Sequence, residues 1–310
     1  MIKREVIEDG LVADLFYDID QPRKAIIMLG GSEGGKTWSR IRQPVDLLVQ
    51  RGYAIFSLAY FKAQGLPVTL EEIPLEYFEK AFAWLSTQSG IVADKLAILG
   101  GSKGAEAALL LASRYLQIKA VVAFSPSSVV WQGIPQRRFD LGKAAKSSWT
   151  YQGKGLPFLA YPTPINKMAL ITLRLRKLHE VALQDRARVQ EAILPVENIQ
   201  GAVLLISGKR DLLWPATFMS EQIEQRLKAK GFEHYYEHMA VDTDHFGLII
   251  NRACWRKVFD FLHENYTTVN LEAVGPADST REHPGSSALP RLDELDEYAG
   301  KRVVKLETQN

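Results

Sequence analysis

The chain of 310 residues contains a single cysteine, Cys254, so no intrachain disulfide can form and no paired-cysteine metal site exists. It has no excess of one charge either. Its 38 Lys and Arg face 36 Asp and Glu, for a formal net charge of +2. That balance supplies no electrostatic reason to bind nucleic acid or an anionic membrane surface. Long apolar runs are missing too: none approaches the ~18 residues that a membrane-spanning helix needs. The opening stretch MIKREVIEDG has no apolar core of signal-peptide length. The six histidines show no His-Glu-x-x-His spacing, so neither a metal nor another cofactor is expected. What remains is an ordinary globular composition, 46% hydrophobic and 24% charged, in a chain long enough for one large α/β domain with insertions. A cytoplasmic location is the expectation, and assembly into a homo-oligomer is compatible with the sequence.

The chain is organised around residues 96–111, LAILGGSKGAEAALLL. An apolar run of strand length passes through Gly-x-Ser-x-Gly into an Ala/Leu-rich segment of high helix propensity. Strand, tight turn and helix, with a serine at the turn, is the context of a nucleophile elbow. Gly100 and Gly104 have a steric reason: strand and helix must pass closely around a serine held in a strained backbone conformation. The competing reading is a glycine-rich turn that binds phosphate or nothing.

Upstream, the buried strand AIIML at 25–29 runs straight into GGSEGG at 30–35. A glycine-dense loop at a strand end lets backbone amides converge. The amides of Gly31, Ser32 and Glu33 are candidates for one half of an oxyanion hole, and that of Lys103 for the other. A nucleotide P-loop fails because no Gly-Lys-Ser/Thr follows. The Gly-x-Gly-x-x-Gly pattern fails because Ser32 stands at its second glycine.

Residues 1–20 alternate polar and apolar and read as one or two antiparallel edge strands. Helix 44–50, strand 53–58, helix 75–88 and strand 119–124 then alternate in the rhythm of an α/β fold with a mostly parallel, doubly wound sheet. The rhythm breaks over about residues 130–196, where Trp131, Trp149, Tyr161 and several prolines precede a helical stretch. Such an insertion is expected to fold over the sheet as a helical cap, its aromatic residues forming pocket walls rather than core; the alternative is a surface excursion with no part in binding. The core resumes at strand 202–208, followed by helix 216–230, strand 234–239 and helix 251–264. The expected division is a catalytic domain over 1–266 and an extended C-terminal tail over 267–310, ending in a short helix near 292–298.

Two further residues complete a constellation. Asp211 lies just past the strand 202–208, at the sheet edge where the orienting acid of a triad belongs. His245 lies in the loop VDTDHFG that follows the last strand. Serine, acid and histidine in that order match an elbow-type hydrolase, in which the histidine takes the serine's proton and the acid holds the histidine. His179, His234, His238, His263 and His283 lie off that edge and read as surface or structural residues. Asp242 and Asp244 are the nearest rivals to Asp211, but their adjacency to His245 turns their side chains away. Cys254, near Trp255 and Phe259, reads as a packed residue.

Together GGSEGG, LGGSKGAE and Asp244-His245 resemble the catalytic domain shared by acyl-CoA thioesterases and bile acid-CoA:amino acid N-acyltransferases. The resemblance covers about residues 25–265. It implies an α/β-hydrolase fold, acyl-CoA metabolism, and a thioester attacked by the elbow residue, with Ser102 as nucleophile, Asp211 as acid and His245 as base. Two departures stand out. The animal members carry an N-terminal β-sandwich domain, which residues 1–20 cannot build, and the acyltransferase branch has cysteine where this chain has Ser102. The serine favours hydrolysis over transfer to an amine. The expected substrate is therefore a small-molecule acyl thioester or ester, with Lys36, Arg40, Arg42 and Lys103 as candidate contacts to CoA phosphates and Trp131 as a candidate pocket wall. Two other readings are a carboxylesterase or dienelactone-hydrolase-like enzyme, and a hydrolase fold used only for binding.

Overall fold

A computed structural model describes residues 1–18, 23–141 and 143–267. Among these, eleven strands and ten helices run in the order β1 (Ile2–Glu8), β2 (Leu11–Tyr17), β3 (Arg23–Leu29), α1 (Thr37–Arg40), α2 (Arg42–Gln50), β4 (Ala54–Ala59), β5 (Ile73–Pro74), α3 (Glu76–Ser86), β6 (Ile91–Gly101), α4 (Lys103–Ala112) and β7 (Ile118–Phe124). Then follow β8 (Trp149–Tyr151), β9 (Lys154–Gly155), α5 (Lys167–Thr172), α6 (Arg176–Ala182), α7 (Arg186–Ala192), β10 (Ala202–Gly208), α8 (Ala216–Ala229), β11 (Tyr236–Val241), α9 (Gly247–Ile250) and α10 (Arg252–Asn265). The chain divides into two units, Met1–Val269 and Asn270–Asn310. The second lies outside the described residues, as do the expected tail helix at 292–298 and His283.

Eight strands form the main sheet in the order β1-β2-β4-β3-β6-β7-β10-β11. From β4 to β11 each neighbouring pair is parallel, while β2 runs antiparallel to both β1 and β4. The parallel strands are apolar on both faces because helices cover both. Ile27, Ile98, Val121 and Val203 pack on the side of α3, α4 and α8, whereas Ile26, Met28, Leu99 and Leu204 pack on the side of α2 and α10. This is the period-two alternation of a strand sandwiched between two layers. α10 begins where the Asn251 side chain accepts the amides of Ala253 and Cys254, a standard cap. Among the described residues no helix is long and apolar enough to cross a membrane.

The insertion after β7 contributes β8 and β9, which join β5 from the β4–α3 connection in a second, three-stranded sheet, and then forms three short helices instead of one long stretch. Its aromatic residues differ from expectation. Trp131 and Trp149 are fully buried, Trp149 within the α3/α4 core layer and Trp131 in a separate cluster with Tyr161, Trp214 and Met219. Trp131 is therefore packed core, not exposed pocket wall. Its indole N–H is satisfied by Ser127 Oγ at 2.9 Å, and its ring stacks on Tyr161. β11 starts at Tyr236, so His234 precedes the strand, which begins two residues later than expected.

The tightest constraint lies where β6 meets α4. A methyl group on Gly100 would stand 2.1 Å from the Gly104 carbonyl oxygen, and one on Gly104 would stand 2.4 Å from the Gly30 oxygen and 2.5 Å from that of Leu29. All the obstructing atoms are backbone, so no side chain can turn aside. Gly100→Ala and Gly104→Ala are each expected to cost about 3 kcal/mol of stability, and urea denaturation of the two variants beside the parent checks this.

Candidate functional site

The elbow is set by its backbone. Ser102 has φ 55° and ψ −118°, a region that L-residues enter only when the surroundings force them. β6 ends immediately before it and α4 begins immediately after. Its N–H is held by the Phe124 carbonyl at 2.8 Å, and its own carbonyl accepts the amides of Ala105 and Glu106. Lys103 thus occupies the first helical position, where an amide has no partner within the helix and points outward.

The glycine loop stands beside this turn. Gly34 N–H closes on the Gly31 carbonyl at 3.3 Å, and Gly34 and Gly35 take φ values of 73° and 67° that glycine tolerates. Gly31 comes so near the elbow that a methyl on it would lie 3.1 Å from Ser102 Cβ. The loop is anchored by Tyr60, whose hydroxyl donates to the Gly30 carbonyl at 2.6 Å, and by Trp38, whose indole donates to Leu29 at 2.9 Å. Burial, reinforced by the charges of Glu33 and Glu106, holds the Tyr60 phenol well above its ordinary pKa, so it remains a donor. The Gly31 amide is already engaged: it donates to Glu33 Oε1 at 2.8 Å.

Across the sheet edge, Asp211 is fully buried just past β10. One carboxylate oxygen accepts His245 Nδ1–H at 2.6 Å, and the other accepts the amides of Leu213 at 2.8 Å and Trp214 at 3.1 Å. A carboxylate with all these donors is an acceptor only, which places the His245 proton on Nδ1 and leaves Nε2 free to accept one. The Trp214 and Phe246 rings flank the imidazole. Among the described residues no hydrogen bond joins Ser102 Oγ to His245; contacts of this kind tighten when substrate binds. The rival acids are occupied elsewhere. Asp242 pairs with Arg210 at 3.0 Å, and Asp244 Oδ1 accepts the amides of Phe246 and Gly247.

Most of the predicted cationic contacts to phosphate are corrected. Lys103 is buried, and its ammonium lies 2.7 Å from each oxygen of the fully buried Glu106. Lys36 is committed to Glu5 at 2.7 Å and Asp14 at 2.8 Å, tying the glycine loop's far end to β1 and β2. Arg42 pairs with Asp46 at 3.0 Å and lies over the Phe16 ring. Arg40 is exposed, with its guanidinium close to Gly35. Lys62, absent from the sequence-based set, is exposed and donates to the Ser32 carbonyl at 3.1 Å.

Glu106 is the principal residue that the motif reading missed. Besides Lys103 it accepts the Trp131 amide at 3.2 Å and the Trp149 indole at 2.8 Å, so one carboxylate joins the elbow helix to the insertion. Burial lowers the Lys103 pKa and raises that of Glu106, each opposed by the partner's charge. The available signal was a Lys and a Glu three apart on a helix otherwise made of Gly104, Ala and Leu, where charges persist only as a pair.

The insertion also touches the acid loop. Arg176 N–H donates to the Leu212 carbonyl at 2.9 Å, and its guanidinium to that of Asp211 at 3.3 Å. His179 is buried edge-on to Trp131 and Trp214, with Nδ1 against the Leu175 carbonyl and Nε2 against the Tyr161 hydroxyl. Burial pushes its pKa down to about 3, so it stays neutral. Cys254 is packed, its thiol pushed up by burial to about 11. Among the described residues no group of three or more His, Cys, Asp or Glu is placed to hold a metal ion.

A mostly parallel sheet wound on both faces, with a serine at a strained strand-to-helix turn, defines an α/β-hydrolase fold. The structure is similar to a 2,6-dihydroxy-pseudo-oxynicotine hydrolase, with TM-score 0.53 and 19% identity over 85% of this chain and 67% of that one. It is also similar to an esterase of Pyrococcus furiosus, with TM-score 0.55 and 16% identity over 85% and 91%. At such identities the likeness is one of fold. Residues 73–246, more than half of the chain, match the family described as BAAT / Acyl-CoA thioester hydrolase C terminal, and the chain belongs to that family. Among its relatives are acyl-coenzyme A amino acid N-acyltransferase 1 of Mus musculus, 30% identical over 234 residues, and acyl-coenzyme A thioesterase 1 of Rattus norvegicus, 29% identical over 236. These alignments cover 74% and 75% of this chain but 50% and 51% of the relatives, so the chain spans about half the length of the curated proteins it matches.

Removing the charge of Glu106 would strand a buried ammonium. Glu106→Gln is expected to cost about 3–5 kcal/mol, whereas Lys103→Met with Glu106→Leu, which removes both charges, should cost distinctly less. Guanidinium unfolding of the two variants measures the difference.

Proposed function

We propose that this chain is a serine hydrolase that cleaves acyl thioesters, acyl-CoA first among them, through an acyl-Ser102 intermediate. The observation that carries the reading is the 2.6 Å bond from His245 Nδ1 to buried Asp211, which leaves Nε2 as a base at the sheet edge where strained Ser102 stands. Membership of the thioester hydrolase family supports the choice of a thioester.

The chemistry balances within these groups. His245 Nε2 takes the Ser102 proton as Oγ attacks the thioester carbonyl carbon. The oxyanion that forms meets the Lys103 amide and amides of the Gly31–Glu33 loop. The C–S bond then breaks and imidazolium returns the proton to the departing thiolate. A water molecule, deprotonated by the same nitrogen, attacks the acyl carbonyl carbon; the C–Oγ bond breaks, the imidazolium returns the proton to Ser102 Oγ, and the carboxylic acid leaves. Asp211 stabilises the imidazolium in both halves without itself being protonated.

In the same reading residues 1–266 are the catalytic domain and 130–196 its cap. Leu212 and Phe246, next in sequence to acid and base, are exposed apolar side chains that offer a bed for the acyl chain. Arg40, beside Gly35, and Lys62, bonded to the Ser32 carbonyl, take the role of cations facing the phosphates.

Thiol release from acyl-CoAs of increasing chain length, run beside p-nitrophenyl esters, is the test. Thiol release should exceed ester turnover and vanish in Ser102→Ala; ester turnover alone would favour a carboxylesterase. Asp211→Asn is expected to cut kcat by roughly 10⁴, because the histidine loses its tautomer and its counter-charge. A near-parental rate in that variant would move the acid's role to Asp242 or Asp244.

A further inference from the structure

The side chain of Glu33 stands where a reacting oxygen would have to be received. Its Oε1 accepts the Gly31 N–H at 2.8 Å, and its Oε2 lies 2.9 Å from where a methyl on Gly31 would sit, on the side that also approaches Ser102 Cβ to 3.1 Å. A carboxylate beside a carbonyl that is becoming an alkoxide opposes the reaction, since like charges at that range repel. Yet Glu33 is exposed, and its long side chain is free to leave. The surrounding loop does not depend on it. The Gly34-to-Gly31 turn, the Tyr60 bond to Gly30 and the Lys62 bond to Ser32 hold the backbone through other atoms.

We propose that Glu33 is a removable cap on the oxyanion hole: its carboxylate occupies the Gly31 amide in the resting protein and gives that amide up to the acyl oxygen when substrate binds. Each encounter then includes the exchange of one charge-assisted hydrogen bond for another. Glu33 is a positioning residue that acts against binding, and its loss makes the hole more accessible. The inference rests on Ser102 being the nucleophile.

The test compares the parent with Glu33→Ala, Glu33→Gln and Ser102→Ala. Two readouts are used: kcat/KM for an acyl-CoA, and the inhibition constant of an alkyl trifluoromethyl ketone, whose serine adduct carries an oxyanion. Glu33→Ala should raise kcat/KM and tighten the inhibitor by a similar factor, about two- to ten-fold, the worth of one solvent-exposed hydrogen bond. Glu33→Gln, which keeps a weaker neutral acceptor, should fall between. Unchanged or reduced values of both in Glu33→Ala and Glu33→Gln, with Ser102→Ala inactive, overturn the cap and leave the nucleophile standing. If Glu33→Ala fails to fold, the Gln variant decides alone, and no rise in it overturns the proposal. Activity and inhibitor binding that survive in Ser102→Ala would overturn the nucleophile assignment and the cap with it.

Discussion

Everything at the candidate site depends on how closely three backbones can approach one another. The end of β6, the start of α4 and the end of β3 meet at Gly100, Gly104 and the carbonyls of Leu29 and Gly30, at separations that leave no room for a single Cβ. That contact drives α4 hard against the sheet, and the price is the strained backbone of Ser102. The strain is held in place by ordinary interactions: the Phe124 carbonyl on the Ser102 amide and the Ser102 carbonyl on two helical amides. A serine in a relaxed conformation would lie along the strand or along the helix. Here it stands at the junction, with the Lys103 amide beside it.

Beneath the turn, the buried Lys103–Glu106 pair does a second job. A buried charge pair is rarely a net source of stability compared with packed apolar groups. This one carries extra hydrogen bonds, however, and they run to the Trp131 amide and the Trp149 indole of the insertion. The insertion is thereby tied to the elbow helix at one end and, through Arg176, to the Asp211 loop at the other. Residues from a segment that looks like an excursion from the core thus brace both halves of the site. A similar arrangement of serine, histidine and acid occurs at Ser207, His238 and Glu224, with contacts of 2.7 and 3.2 Å. Ser207 is fully buried and shares its hydroxyl with Thr217, so the trio ties β10 and β11 to α8 and offers nothing to a substrate.

The parts of the molecule legible in its sequence are those governed by local rules. The alternation of apolar strands with helices foretold the parallel sheet, and the glycines around Ser102 foretold the close packing there. That Asp211 and His245 would lie near one another was legible from chain order and sheet-edge position, and the two side chains are found bonded. What escaped notice depends on long-range partners. That Lys36 would be consumed by Glu5 and Asp14 follows from β1 and β2 joining the sheet beside β4, which no spacing near residue 36 records. Trp131 and Trp149 looked like pocket walls because their segment lacks periodicity, yet irregular backbone is compatible with full burial when each indole finds an acceptor. Glu106 had a local signal, its spacing from Lys103, but its partners on the insertion did not.

The correction at Lys103 also changes the electrostatic account of the site. A lysine next to a candidate nucleophile invites the idea that its positive charge attracts a developing oxyanion. Its ammonium is instead neutralised by both oxygens of Glu106 within the protein, so the pair presents a small dipole and no net charge. In the proposed reaction the favourable field at Ser102 therefore comes from oriented backbone amides: the first amide of α4, the dipole of that helix, and the amides of the glycine loop once Glu33 has left Gly31. Amides fixed by backbone packing need little reorganisation when charge develops, whereas a flexible ammonium must be repositioned and desolvated. Gly100, Gly104 and Gly30 are therefore the groups that set the electrostatics as well as the geometry, because they decide where those amides point.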